Sequence, residues 1–151
     1  MKSGREILRR CRSNRREVLI LLEKQEELRT SILPKAMQIK QDLVQTCPER
    51  DPMAERLSEV VDMEERIEGA LVKMYEDEAQ AWKIIFHIKD VRYRCLLVTY
   101  YMSSYTDARG RDHLHTFETA AEENGYAPGT MRHYHKKALI AADRAAEELN
   151  I

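Results

Sequence analysis

Six residues near the C-terminal end of the chain, Gly129, Thr130, Arg132, His133, Lys136 and Lys137, are of types that could meet nucleic acid together. They are the outward positions left when Met131 and Tyr134, three residues apart, turn inward on a helix. Arg132, Lys136 and Lys137 give residues 127–140 a charge of +3, with no acid to offset it. A helical face that offers only donors suits a phosphate-lined groove. Arginine can bond guanine bidentately, whereas lysine and histidine donate singly. Arg132, His133 and Lys136 are therefore expected at base edges. Thr116, His115 and Lys137 are expected at phosphates, with the helix N-terminus at Thr116 adding its own dipole.

A helix-turn-helix over Phe117 to Leu139 would hold these side chains in place. Ala120 and Ala121 are small, as a close helix crossing requires. Gly125 follows four residues after Ala121, where the chain must turn sharply and a residue free to take positive φ is favoured. Tyr126 is the apolar plug after the turn, and Pro128 suits the first turn of the next helix. Thr116 can cap the first helix. Ala127 offers no cap to the second, a loss of about 1 kcal/mol unless the rigid Pro128 partly replaces it. Two helices cannot bury a core alone. The segment from Val91 to Tyr101 is expected to be the third wall, with Tyr93, Leu96, Leu97, Tyr100 and Tyr101 available to it. Ser103 to His115, polar and containing Gly110, reads as a loop.

Other chemistry finds little support. His113, His115, His133 and His135 form two His-X-His pairs, but residues two apart on a helix do not share a face. No thiol or carboxylate completes a site, so no metal or other cofactor is expected. Cys11, Cys47 and Cys95 are odd in number and far apart. They read as buried or incidental thiols rather than a disulfide framework. There is no phosphate-cradling glycine loop, nucleophile elbow or His-Glu-X-X-His, so the chain is not read as an enzyme.

Upstream, the pattern is long and helical. Charged residues make up 34% of the 151, which favours helices over a sheet. Residues 4–33 carry Leu8, Cys11, Val18 and Leu22 in register, with Leu21 and Leu28 alongside. The turn Val18 to Leu22 is apolar almost all round and should be buried or paired. Pro34 is expected to break or kink this helix, and Cys47 to Pro52 reads as a loop. A second helix from about Met53 to Lys89 has a sustained heptad. Its positions are Leu57, Val60, Glu64, Ile67, Leu71, Met74, Glu78, Ala81, Ile85 and Ile88. Glu64 and Glu78 interrupt the seam, either to set register or to meet cations from the first helix. Two long amphipathic helices joined by a short loop favour an antiparallel hairpin.

The net charge of −1 conceals zoning. Residues 1–16 carry seven Lys or Arg against Glu6, and residues 49–79 carry eleven acids against four bases. The basic start is either a second phosphate contact or a partner of the acidic stretch. Without an apolar run of about 18 residues or a signal-like start, the chain reads as a cytoplasmic protein with no membrane partner.

The C-terminal sixty residues resemble the fourth-region DNA-binding domain of sigma factors. The likeness is carried by Leu96-Leu-Val-Thr-Tyr-Tyr101, Phe117 to Tyr126, Thr130-Met-Arg132 and Lys137-Ala-Leu139. With Glu26-Glu-Leu-Arg29 and the Val61, Asp62, Glu64, Glu65, Ile67 pattern, the chain is similar to phage sigma-like late transcription regulators (ArpU/RinA-like). This resemblance implies control of phage or prophage genes in a bacterial host cell, through double-stranded DNA and RNA polymerase. The expected fold is all-α: a coiled-coil-like hairpin over 1–89, then a three-helix helix-turn-helix domain over 90–151. The hairpin would serve a homodimer or a polymerase contact. A rival reading is a helical interaction adaptor that acts through the hairpin and binds no DNA.

Overall fold

The computed structural model describes residues 2–42 and 52–151, and shows an all-α chain with one small hairpin of strands. The elements are α1 (Gly4–Asp42), α2 (Pro52–His87), α3 (Val91–Tyr101), β1 (Ser104–Thr106), β2 (Asp112–Leu114), α4 (Phe117–Asn124) and α5 (Pro128–Glu148). Pro34 does not end the first helix, which continues to Asp42. Most of the loop expected near 47–52, with Cys47, lies outside the described residues.

The chain forms two compact units, residues 1–16 with 72–151, and residues 17–71. This division differs from the expected boundary at 89/90. The core of the first unit explains the difference. Ile7, Leu8 and Cys11 of α1 and Ala81, Ile84, Ile85 and Ile88 of α2 are buried in one cluster with Leu96, Leu97, Ala120, Ala121, Met131, Ala138 and Ala142. The three C-terminal helices do not close the core by themselves. The start of α1 and the end of α2 supply the missing walls. Gly4 allows the approach, because a Cβ there would stand 2.2 Å from the carbonyl oxygen of Ala142 on α5.

Charge pairs reinforce this packing. Arg5 holds Asp143 of α5 in a bidentate grip, Nε to Oδ2 at 2.6 Å and backbone N to Oδ1 at 2.9 Å. Arg12 donates to the carbonyls of Tyr100 (2.6 Å) and His115 (2.7 Å), and its guanidinium lies 4.0 Å from the Tyr100 ring centroid. Asp77 is buried and accepts from Arg10 and from Asn14 Nδ2 at 2.7 Å, while Arg15 meets Glu78 at 2.5 Å. Four of the seven N-terminal cations thus have partners inside the unit, two of them acids of the 49–79 stretch. Lys2, Arg9 and Arg16 are exposed.

In residues 17–71, α1 and α2 pack antiparallel. Arg29 meets Glu64 at 3.0 Å, and Arg56 donates to Ser31 Oγ at 3.1 Å. Both seam-breaking glutamates, Glu64 and Glu78, therefore face cations of the first helix. Val18, Ile67 and Ala70 are buried, and Leu21, Leu28, Val60 and Met63 half-buried. The buried positions of α2 are Ile67, Ala70, Met74, Asp77, Glu78, Ala81, Ile84 and Ile85, followed by Ile88. Of the expected heptad, Ile67, Met74, Glu78, Ala81, Ile85 and Ile88 are buried and Val60 and Leu71 half-buried, whereas Leu57 and Glu64 are exposed; Ala70, Asp77 and Ile84 widen the buried stripe. A helix seam admits small and polar residues where the neighbour fits them, so a strict heptad finds only part of it. Ile20 and Leu22 in the all-apolar turn are 48% and 43% exposed, not buried.

Residues 103–115, expected as a loop, contain the antiparallel hairpin β1–β2, with Tyr105 opposite His113. Its turn is set by Asp107, whose Oδ1 accepts from the backbone N–H groups of Arg109 and Arg111, and by Gly110 at φ 78°. Those hydrogen bonds, with His113, hold the Asp107 carboxyl below its ordinary pKa.

Candidate nucleic-acid interface

Helices α4 and α5 meet at a sharply defined turn. Gly125 takes φ 73° and ψ 28°. The N–H of Gly125 reaches Glu122 O at 3.1 Å and that of Tyr126 reaches Ala121 O at 2.8 Å, the paired bonds of a Schellman termination. Tyr126 then packs edge-on to Tyr134, ring centroids 5.2 Å apart. At the other end of α4, Thr116 and Thr119 form a capping box. Thr116 Oγ1 accepts from Thr119 N at 3.2 Å, and Thr116 N donates to Thr119 Oγ1 at 2.9 Å. Helix α5 starts at Pro128 without a side-chain cap from Ala127.

The inward face of α5 is Met131, Ala138, Leu139, Ala142, Ala145 and Ala146. Small alanines let α3 and α4 approach closely. Every one of the seven residues expected at DNA, Thr116, Gly129, Thr130, Arg132, His133, Lys136 and Lys137, is exposed. Six of them share the outer side of the first half of α5, since Met131 and the half-buried Tyr134 occupy the inner side. Thr116 stands apart at the start of α4, its hydroxyl engaged in the cap. Lys137 borders a groove lined by Asp90, Tyr93, Ile140 and Arg144.

His115, expected at a phosphate, is enclosed instead. It is 3% exposed, with Nε2 3.2 Å from Glu123 and Nδ1 3.3 Å from Thr119 Oγ1, so it cannot reach a phosphate. The hairpin carries its ring inward against Tyr105, centroids 5.0 Å apart. The two members of the second His-X-His pair also part company. His133 is exposed, whereas His135 stacks on Tyr101 (5.8 Å) and accepts or donates at the Tyr101 hydroxyl at 2.7 Å. Burial, and then the positive charge of Arg9, pushes the His135 pKa down. Burial also raises the Tyr101 hydroxyl to about 12. Among the described residues, no three His, Cys, Asp or Glu side chains gather as a metal site would require.

Cations near this face were not legible from spacing. Arg92 lies 5.2 Å over the Tyr134 ring, held there by Asp90, the N-cap of α3. The carboxylate raises the pKa of Arg92, and Arg92 lowers that of Asp90. The Asp90-X-Arg92 cap is a local signal, but its neighbour Tyr134 is 42 residues away. Arg109 and Arg111 are exposed at the tip of the β1–β2 hairpin. The only hint of them was the Asp107 to Gly110 turn. Exposed acids occur on α4 at Glu118, Glu122 and Glu123, so α4 itself is poorly suited to lie on phosphates.

The chain matches no protein-family model, no curated protein and no solved structure. Among the described residues, no helix is long and apolar enough to cross a membrane.

Proposed function

We propose that the chain is a sequence-specific DNA-binding transcription regulator of phage or prophage genes, docking residues 128–137 in the major groove. One observation carries this reading. The first half of α5 exposes Thr130, Arg132, His133, Lys136 and Lys137, and no acid occurs between Glu123 and Asp143. That donor-only face follows a tight left-handed turn at Gly125, as a recognition helix does. The sigma-like pattern in the sequence supports the same assignment, and a contact with RNA polymerase belongs to this reading.

In the proposed complex, Arg132, His133 and Lys136 read base edges, and Lys137, at the border of the α3–α5 groove, meets phosphate. The N-terminus of α4 at Thr116 adds its dipole and backbone, since the Thr116 hydroxyl is occupied by the cap. Binding-site selection from random duplexes, followed by fluorescence anisotropy over a salt series, tests the proposal. Affinity is expected to fall steeply with salt. Arg132→Ala should relax preference at one base pair, a loss of about 1–3 kcal/mol on the selected site. Lys137→Ala should weaken all duplexes alike and reduce the salt slope by about one. Parent-like binding by both variants, or no salt-sensitive binding at micromolar protein, would refute it.

A further inference from the structure

Helix α2 has a second apolar seam, on the side away from its buried one. Val72, Tyr75, Ala79, Trp82 and Phe86 step by three and four, the spacing of a coiled-coil face. Val72 is 53% exposed, Tyr75 61% and Phe86 70%, and Ala79 is exposed too. Trp82 is half-buried, packed on one side against the core cluster, and stacks on Phe86, centroids 5.4 Å apart and planes at 24°. Two large rings and a valine turned outward at heptad spacing exceed the scattered apolar residues of an ordinary surface.

We propose that this seam is the interface of a two-fold symmetric homodimer in which α2 packs antiparallel against α2 of a second copy. Sizes and charges over the centre of the seam match themselves in that arrangement, while Val72 falls level with Lys89 of the second copy. With Ala79 placed opposite Trp82 of the second copy, the small residue receives the large ring, and the two-fold axis repeats the fit. Tyr75 then falls opposite Phe86 of the second copy, an aromatic pair on each side of the axis. In the same register the exposed flanking residue Glu76 faces Lys83 of the second copy, and Lys83 faces its Glu76. A closed two-fold interface requires such self-complementarity. A parallel pairing would set Glu76 and Lys83 each level with its own counterpart and lose the charge match.

The exposed parts of these side chains amount to on the order of 400 Å² per copy. A pair of copies with the flanking stems would bury ~1,000 Å², the lower bound for a specific interface. The interface therefore lies at the small end for a specific dimer, and association is sought in the range of about 1 to about 200 µM. This inference goes beyond the DNA-binding reading and does not rest on it.

Sedimentation velocity on the full chain without DNA, from about 1 to about 200 µM, tests it, with far-UV circular dichroism to verify folding. The parent should pass from monomer to dimer. Phe86→Glu and Tyr75→Glu, both at well-exposed positions, should each weaken association at least about tenfold with unchanged helicity. Glu76→Lys should weaken it about fivefold by setting like charges together, and the double exchange Glu76→Lys with Lys83→Glu should restore parent affinity to within about threefold. A monomer throughout the range would overturn the proposal and leave the face to a different protein. A dimer indifferent to both glutamate substitutions would place the interface elsewhere. A double exchange no better than Glu76→Lys alone would overturn the antiparallel register.

Discussion

Arg12 is the residue whose removal best tests how α1 joins the C-terminal helices. Its two guanidinium nitrogens donate to Tyr100 O at 2.6 Å and His115 O at 2.7 Å. Tyr100 belongs to the last turn of α3, where carbonyls have no partner within the helix. His115 immediately precedes the cap of α4. One side chain therefore closes the end of one helix and holds the start of another. Each of these hydrogen bonds, half-open to solvent, contributes about 1 kcal/mol net, below the range of about 1.5–3 kcal/mol for charged groups in general. The guanidinium over the Tyr100 ring adds about 0.5–1 kcal/mol. Arg12→Ala should thus cost roughly 2–3 kcal/mol, or about 5–10 °C in Tm for a chain of this size. Arg12→Lys should recover less than half, because an ammonium cannot span two carbonyls while lying flat on a ring. Urea unfolding followed by near-UV circular dichroism reads this directly, since Tyr100 and Tyr101 pack within the affected region. Arg16→Ala, at an exposed site, is the control and should remain within about 0.5 kcal/mol of the parent. An Arg12→Ala chain as stable as the parent, or an Arg12→Lys chain equal to it, would refute the claim that this fork secures α1.

Two further predictions follow from buried groups. The His135 pKa is depressed below its ordinary value of 6.5 by burial and by Arg9, so the folded state favours the neutral ring. Its contribution to stability is complete above pH 6.5 and is lost as pH falls toward the depressed value, where the unfolded chain binds the extra proton. Urea midpoints at pH 7.5 and pH 5.5 should differ less for His135→Gln than for the parent, and equal differences would refute this. Cys11 is buried, and desolvation aided by Asp77 and Glu78 pushes its thiol up to about 12, whereas Cys95 is exposed. In a Cys47→Ser chain, Cys95 should react promptly with a thiol-specific disulfide reagent and Cys11 only as the chain unfolds. Prompt reaction of both thiols would contradict the packing of α1.

The local features of the C-terminal unit were legible in the sequence because they depend on residues close together. Gly125 turns left-handed, Thr116 caps α4, Ala127 leaves α5 uncapped, and Met131 is buried one side of a face whose other side is charged. Each outcome follows from backbone sterics, a missing side-chain oxygen or a spacing of three to four residues. The heptad spacing likewise announced the long second helix, while Glu64 and Glu78 left a register role and a cation opposite both open until the fold set Arg29 and Arg15 beside them. The β1–β2 hairpin is not legible in the sequence because three-residue strands give a weak periodic signal. Asp107 and Gly110 were its only local marks.

What the tertiary structure alone decided is which distant residues share an environment. Nothing near His115 or His135 in the sequence distinguishes them from exposed His133. Tyr105, Tyr101 and Phe117, brought over them by folding, place two rings inside and leave one outside. Likewise the apolar pattern of α1 reads as half of a hairpin, yet Ile7, Leu8 and Cys11 lie in the core beneath α3, α4 and α5. Periodicity reports that a helix has an apolar face, but not what covers it. The cover depends on volume and polar partners, here a glycine against Ala142 and an arginine fork between two helix ends. The composition of the donor face on α5 was therefore a property of the sequence, while its support by the beginning of the chain was a property of the fold.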